Sequence, residues 1–457
     1  MTLEKKKYDA AVIGGGLSGM TAAIYLAKAG KSVIVFEKAK KLGGMAQTTN
    51  IYGALFNFGP HAMYEGGGAL QILNELNCIP KGGYASKGRL IGIWQEGMVQ
   101  IPTDLSQEEN MEWSKLMSGL GQVDTDSIRS INLMDWAKNH IFYDRVRLFF
   151  LAMCRQWSYC DNPSVLSAGF VIKQGQLAGQ GVKYIDGGWQ TVVDDLHGLA
   201  VKAGVTFATG CKVNQILHSS GTVRALSLSD GNTVLTSSVV ITAGPNEACR
   251  LVEGADHMSI GRWKNESRPL YAACLDVALN RLPNSERAFA LGLDQPLYFS
   301  IQSLSTKLSK NGAYVLHVMK YNDNRSQTDP KEDKKQLTNL LDLLQPGWDK
   351  EVASIRFLPK IMVAHDSRTI HHDGAGSAPG VFVPEVNGLY VAGDWVGLGG
   401  RLADAAMISA NSGLLTIHIN DMVNRKGLND SFKLELKTDL TTNFSDSMHF
   451  ISSSYCT

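Results

Sequence analysis

Residues 8–37 read YDAAVIGGGLSGMTAAIYLAKAGKSVIVFE. The run 8–14 is apolar almost throughout, as a buried parallel strand requires. Residues 17–29 place alanines and larger apolar residues at helical spacing, and Gly30 closes that helix. Residues 32–37 are a second strand, so the chain opens on a βαβ unit. Between strand and helix, Gly14, Gly16 and Gly19 form G-x-G-x-x-G. The first glycine permits a tight turn, the second lets backbone approach a pyrophosphate, and the third lets the helix pack close to the strand. The N–H groups of Leu17 and Ser18 then open the helix with its positive dipole end toward phosphate. Glu37 ends the second strand, where a carboxylate can accept hydrogen bonds from a ribose, and Lys38 follows it.

The 457 residues exceed what one core usually holds, which predicts two domains. A hydrophobic content of 44% with 19% charged residues fits a soluble globular enzyme. The formal net charge of +1 gives no long-range pull on nucleic acid. Seven cysteines, an odd number without CxxC spacing, suggest neither a disulfide framework nor a zinc site. Reduced thiols in a cytoplasmic protein are the expectation. The apolar run after Lys5, Lys6 and Lys7 breaks at Gly14–Gly16, unlike a secretory signal. No run of about 18 apolar residues predicts a spanning helix. RVRLFFLAMCRQWSY (145–159) reads as a buried helix, with a peripheral membrane contact as the alternative.

Along the chain, residues 1–65 begin a dinucleotide-binding domain and 66–180 form a helix-rich substrate domain. Residues 181–264 return to the first domain, with a β-meander expected over 205–243. Residues 265–365 go back to the substrate domain, 366–424 complete the first domain with a strand at 389–393 and a helix at 402–422, and 425–457 are a polar tail.

Leu42-Gly43-Gly44 with Thr48, Phe58-Gly59-Pro60-His61, and GLYVAGDWVGLGGRLADAAMIS (388–409) sit at intervals after the opening unit. Together they resemble the flavin amine oxidase and phytoene desaturase superfamily, which includes protoporphyrinogen oxidases. Weaker likenesses are Gly187-Gly188 and Ile241–Pro245. Two positions depart from the pattern: Met45 stands where an arginine is usual, and Asn57 where an acid is usual. The resemblance implies an α/β fold, a Rossmann-like FAD-binding domain with an interleaved α+β substrate domain. It implies FAD contacts from Gly14, Gly16, Leu17, Ser18, Gly19, Glu37, Lys38, Gly43, Gly44, Met45, Gly59, Pro60, His61, Val213, Gly393, Asp394, Leu402 and Ala403. Val213 would touch the adenine through backbone, and Asp394 the ribityl or pyrophosphate part. The helix opening at Leu402–Ala403 would face the flavin N1/O2 edge, where reduced flavin is negative. Family members with a cysteinyl link carry a cysteine shortly before the C-terminal motif. Residues 360–393 contain none, so the FAD is expected to be noncovalent.

His61 is the one candidate catalytic side chain, with a purely structural role as its alternative. His365, Asp366, Arg368, His371 and His372 read as a solvated polar loop, and no metal site is expected. The loop VGLGGRL (396–402) offers no Tyr or Phe for an aromatic cage, only Trp395 nearby, which disfavours amine oxidation. The resemblance of LADAAMISA (402–410) to phytoene desaturase-like members favours hydrogen transfer at a C–C bond of an apolar small molecule. An amine or protoporphyrinogen-type oxidase using oxygen, and a non-redox flavin isomerase or mutase, stay open at this point, as do electron acceptor and oligomeric state.

Overall fold

The computed structural model describes residues 7–85, 90–95, 97–101, 103–322, 328–373 and 378–412. The expected helix beyond 412 and the polar tail lie outside the described residues. The opening βαβ unit forms as read: strand Lys7–Ile13, helix Leu17–Lys28, strand Val33–Glu37. Lys7–Ile13 lies at the centre of a seven-stranded sheet, parallel to Val33–Glu37 on one side and to Thr233–Ile241 on the other. The expected meander is shorter than 205–243. Thr206–Thr209 runs parallel to Val33–Glu37 at the sheet edge. Only Val213–Ser219, Thr222–Leu228 and Thr233–Ile241 form antiparallel neighbours. The parallel pairing follows from the helix Gln190–Lys202, which crosses over and packs beside the first helix. Leu389–Val391 then pairs parallel with Thr233–Ile241, bringing the C-terminal motif back beside the first glycine turn.

A second seven-stranded sheet takes its strands from two distant stretches. Leu90–Trp94 and Gly97–Ile101 join Phe289–Gly292, Leu297–Ser300, Tyr314–Asn322, Leu270–Leu279 and Val352–Ala364. Its outer face is covered by the helix Pro330–Leu344. Asp329 caps that helix by accepting from Lys331 N, with Pro330 in the first turn, where proline loses no hydrogen bond. Leu337, Leu340, Leu341 and Leu344 recur at the 3–4–7 spacing of one helix face and are all buried. Each contributes about 1.5–3 kcal/mol of hydrophobic stabilisation.

The helix Asp144–Ser158 is the buried one of its two readings. Phe150, Cys154 and Trp157 are covered within the helical layer, and Phe149 is covered by the second sheet. No helix among the described residues is long and apolar enough to cross a membrane.

Candidate functional site

The first glycine turn, the Gly43–Met45 loop and the C-terminal motif converge on one cavity of about 510 Å³. Gly43 N–H donates to Gly15 O at 2.8 Å, which docks the second glycine loop on the first. Gly19 is where close approach demands glycine: a Cβ there would lie 1.9 Å from Gly14 O. Gly16 faces open space, with no atom nearer to such a Cβ than Gly43 O at 3.9 Å. Gly14, Gly16, Leu17, Ser18, Glu37, Lys38, Gly43, Gly44, Met45, Pro60, His61, Val213, Gly393, Asp394, Leu402 and Ala403 all line the cavity. Gly19 and Gly59 stand behind its wall, shaping backbone rather than bordering the space.

Glu37 is held by two backbone donors, Gly15 N to Oε2 and Ala39 N to Oε1, each at 2.8 Å. Each oxygen keeps a lone pair for a further donor. Asn57, in the position of the usual acid, joins three segments. Its Oδ1 accepts from Thr48 Oγ1 at 2.7 Å and from Trp189 N at 3.0 Å. Gln190 N in turn donates to Thr48 Oγ1 at 3.0 Å. The second glycine loop, the Gly187-Gly188 turn and the segment leading to His61 are thereby tied together. His61 hydrogen-bonds through Nδ1 to Gly59 O at 3.1 Å and meets Trp189 edge-on at 5.7 Å between ring centroids. Burial lowers its pKa below the ordinary histidine value, so the imidazole is neutral near pH 7.

The segment 365–368 is a correction. Instead of a solvated loop, Asp366 and Arg368 are buried, and His365 is partly covered. The cause is a set of charge-assisted bonds that replace water. Asp366 accepts from Arg268 N and Arg368 N, and Arg368 donates to Asp394 O. Asp394 is engaged by His365, whose N and Nδ1 donate to Oδ2 at 2.9 Å and Oδ1 at 2.6 Å. Burial alone would raise the Asp394 pKa, but the His365 charge and hydrogen bonds outweigh it and hold the carboxyl below its usual range. The same pairing overcomes burial at His365 and lifts its pKa.

Helical residues 403–412 present their N-terminal end to the cavity. Gly393 N donates to Ser409 Oγ at 2.9 Å, fixing that helix to the end of Leu389–Val391. Leu402, just before the helix, is left-handed at φ 48°, which is uncommon for a bulky residue and sits at the cavity wall. Arg401 is buried beside it, donating to Asp366 O and Ser158 O and lying over the Tyr159 and Phe170 rings. Trp395 points away from the cavity, its Nε1 donating to Ala243 O beside Trp263. Sequence reasoning missed Trp189, Arg401, Tyr64, Tyr159 and Met319, which also line the cavity. They come from separated segments and share no local pattern.

Among the described residues, Cys274, Asp276 and His317 are the group whose ligand atoms converge closely enough for a metal ion. The other Asp276 oxygen is taken by Arg356, so a cation already neutralises that carboxylate.

A family model described as FAD dependent oxidoreductase matches residues 9–403. The carotenoid 3,4-desaturase of Haloarcula japonica is 46% identical over 52 residues, 11% of this chain and 10% of that protein. The 4,4'-diaponeurosporene oxygenase of Staphylococcus aureus is 25% identical over 275 residues, 50% of this chain and 54% of that protein. The matches thus span from a tenth to about half the length of these relatives. Putrescine oxidase bound to putrescine has the same fold, with TM-score 0.71 and 16% identity over 91% of this chain and 99% of the other.

Proposed function

The chain belongs to the FAD-dependent oxidoreductase family, and from that premise we propose that it moves hydrogen at a C–C bond of a largely apolar small molecule, by desaturation or saturation. The observation that carries the reading is the cavity itself. One end is walled by the glycine turns, and another by Met319, Ile361 and Val363 of the second sheet.

The lining fits FAD. Gly16, Leu17 and Ser18 present a helix N-terminus to the pyrophosphate, with open space at Gly16; Glu37 and Val213 border the adenosine end; and residues 402–404 open a second helix toward the ring. Bound there, FAD supplies a hydride-accepting or hydride-donating centre. The chain's own residues then orient and exclude. Neutral His61, braced by Gly59 and Trp189, holds the wall between the glycine loops and the second sheet. Met319, Ile361 and Val363 give an apolar surface that keeps water from a hydride path. Desaturation sends a hydride to the flavin from one carbon and a proton from its neighbour, and neutral His61, bordering the cavity, is the group assigned to take or return that proton. Among the described residues six cysteines are free, which suits a reducing compartment, and we assign the protein to the cytoplasm.

The test is anaerobic reduction of the bound flavin across paired panels of polyenes and amines. Bleaching by polyenes, or reoxidation of reduced enzyme by them, is the expected result. Bleaching by amines alone, with hydrogen peroxide formed in air, would establish an amine oxidase instead.

A further inference from the structure

Among the described residues, the basic side chains on the wall of the main cavity are Lys38, Lys212, Arg401, His61 and His365. Lys38 and Lys212 are exposed and face the charge of Glu247. Arg401 donates to the carbonyls of Asp366 and Ser158. His61 is neutral, because burial lowers its pKa. Met45, on the second glycine loop, brings no charge. A dinucleotide pyrophosphate is an anion and must find a cation or N–H donors where it leaves water.

His365 is differently placed. Asp394 takes its Nδ1–H at 2.6 Å and its backbone N–H at 2.9 Å, which orients the ring and leaves Nε2 over. Nε2 has no hydrogen-bond partner among the described residues, yet it is not one of the sealed polar atoms, and the side chain is 22% exposed. The ring edge lies against Gly244, where a Cβ would fall 2.2 Å from Cδ2 and 2.4 Å from Nε2. Glycine there leaves room for the imidazole. Thr242, two residues earlier, donates to Gly14 O at 3.2 Å, so this wall stands one strand from the first glycine turn.

The Asp394 carboxylate outweighs burial and lifts the His365 pKa, so the ring keeps its proton above the pH at which an ordinary histidine loses it. Asp394 is the charged group bonded to the ring. The others nearby are held elsewhere. On its own segment, Arg368 N donates to Asp366 and the Arg368 guanidinium to Asp394 O. Arg268 turns its guanidinium to the carbonyls of residues 265–267. Glu247, on the helix that opens after Gly244, pairs with Arg250.

We propose that charged His365 donates from Nε2 to an anionic oxygen of the FAD pyrophosphate, with Asp394 as the group that orients the ring and holds its proton. The proposal needs FAD in the cavity, which family membership supplies, and no particular substrate. A phosphate facing Nε2 raises the His365 pKa further. FAD affinity is therefore highest while His365 of the free protein is protonated, and it falls as pH rises through that pKa.

The experiment dilutes the full-length holoprotein until FAD dissociates and reads free FAD by its fluorescence between pH 6 and pH 9. Competition by ADP-ribose is read alongside; it carries the same pyrophosphate, ionised throughout this range, and no flavin ring. The wild-type Kd for FAD is expected to rise about 10-fold or more over the range, the weight of one charge-assisted hydrogen bond, and the Kd for ADP-ribose to rise in parallel. His365→Gln keeps an N–H donor without a titrating charge, so it should bind FAD more weakly than wild type at pH 6 and equally well across the range. Asp394→Asn should move the rise in Kd to lower pH, because the carboxylate that holds the proton is gone. A wild-type Kd that does not change with pH overturns the proposal and needs no variant to fold. A slope that survives in His365→Gln, or a rise for FAD without one for ADP-ribose, overturns it as well: the first removes the charge from His365, and the second moves its contact from the pyrophosphate to the flavin.

Discussion

Asp404 shows how a single carboxyl can be set by its surroundings. It lies in the first turn of the C-terminal helix, accepts from Ala69 N at 2.8 Å and is 4% exposed. Burial raises its pKa from 3.8 to about 6, with the Ala69 hydrogen bond opposing. A carboxyl whose folded pKa is raised favours the fold when protonated. Its contribution is therefore greatest below about pH 4 and is lost as pH rises through 6. Asp404→Asn keeps an acceptor for Ala69 and removes the charge. It should gain on the order of 2–3 kcal/mol over wild type at pH 8, at 1.36 kcal/mol per pKa unit, and only about 0.5 kcal/mol at pH 4. Urea unfolding at the two pH values checks this, and a gain of equal size at both would mean that packing rather than charge is responsible. The sequence shows Asp404 following Asp394 in the motif, but not which is paired. Asp394 is expected to bond the cofactor and lines the cavity, and its carboxylate also meets His365, 29 positions away. A partner that distant leaves no local signal, whereas Glu37 was legible because its place at the end of the second strand fixes its surroundings.

The C-terminal helix acts as a unit because Ser409 ties it to the neighbouring strand end. Ser409 Oγ accepts from Gly393 N at 2.9 Å, and its hydroxyl is shared between Gly393 O at 3.1 Å and, one turn back, Ala406 O at 3.2 Å. Ser409→Ala leaves the buried Gly393 N–H without its acceptor. The expected cost is about 1–3 kcal/mol in urea unfolding, the desolvation penalty of one such group. Gly393 borders the cavity, so FAD occupancy after dialysis should fall as well. A variant that loses stability but retains full FAD would separate the anchor from the site. At this scale the sequence was most informative. Glycine spacing and an apolar run identify the opening βαβ unit, since local sterics dictate both turn and helix start. The edge strand Thr206–Thr209 was misassigned to the meander, because parallel and antiparallel partners look alike in one sequence.

The second sheet meets the hairpin of Thr48–Ile51 and Ala54–Asn57 through a polar contact that neither reveals alone. Arg356, on the strand Val352–Ala364, donates to both Asp276 Oδ2 and Asn57 O. Asp276 also pairs with His317 Nδ1 at 2.6 Å, and both of those residues are fully buried. Burial would raise the Asp276 pKa, but His317 and Arg356 outweigh it and hold the carboxyl low. Asn57 in turn holds Thr48 and Trp189, so the second sheet grips the segment that carries His61. Asn57 stands hundreds of positions from Asp276, His317 and Arg356, which is why the group was not legible before the strands were assembled. Arg356→Met removes the guanidinium and leaves Asp276 poorly compensated. Breaking a buried pair from one side costs about 3–5 kcal/mol. Asp276→Asn in the same chain removes the stranded charge, so the double variant should recover part of that loss. FAD release should remain faster than wild type in both, because the bond to Asn57 O is absent from both. Denaturant unfolding and stopped-flow loss of flavin together test the coupling. If the double variant recovers stability and releases FAD at the wild-type rate, Arg356 serves the core of the second sheet alone and does not brace the cavity.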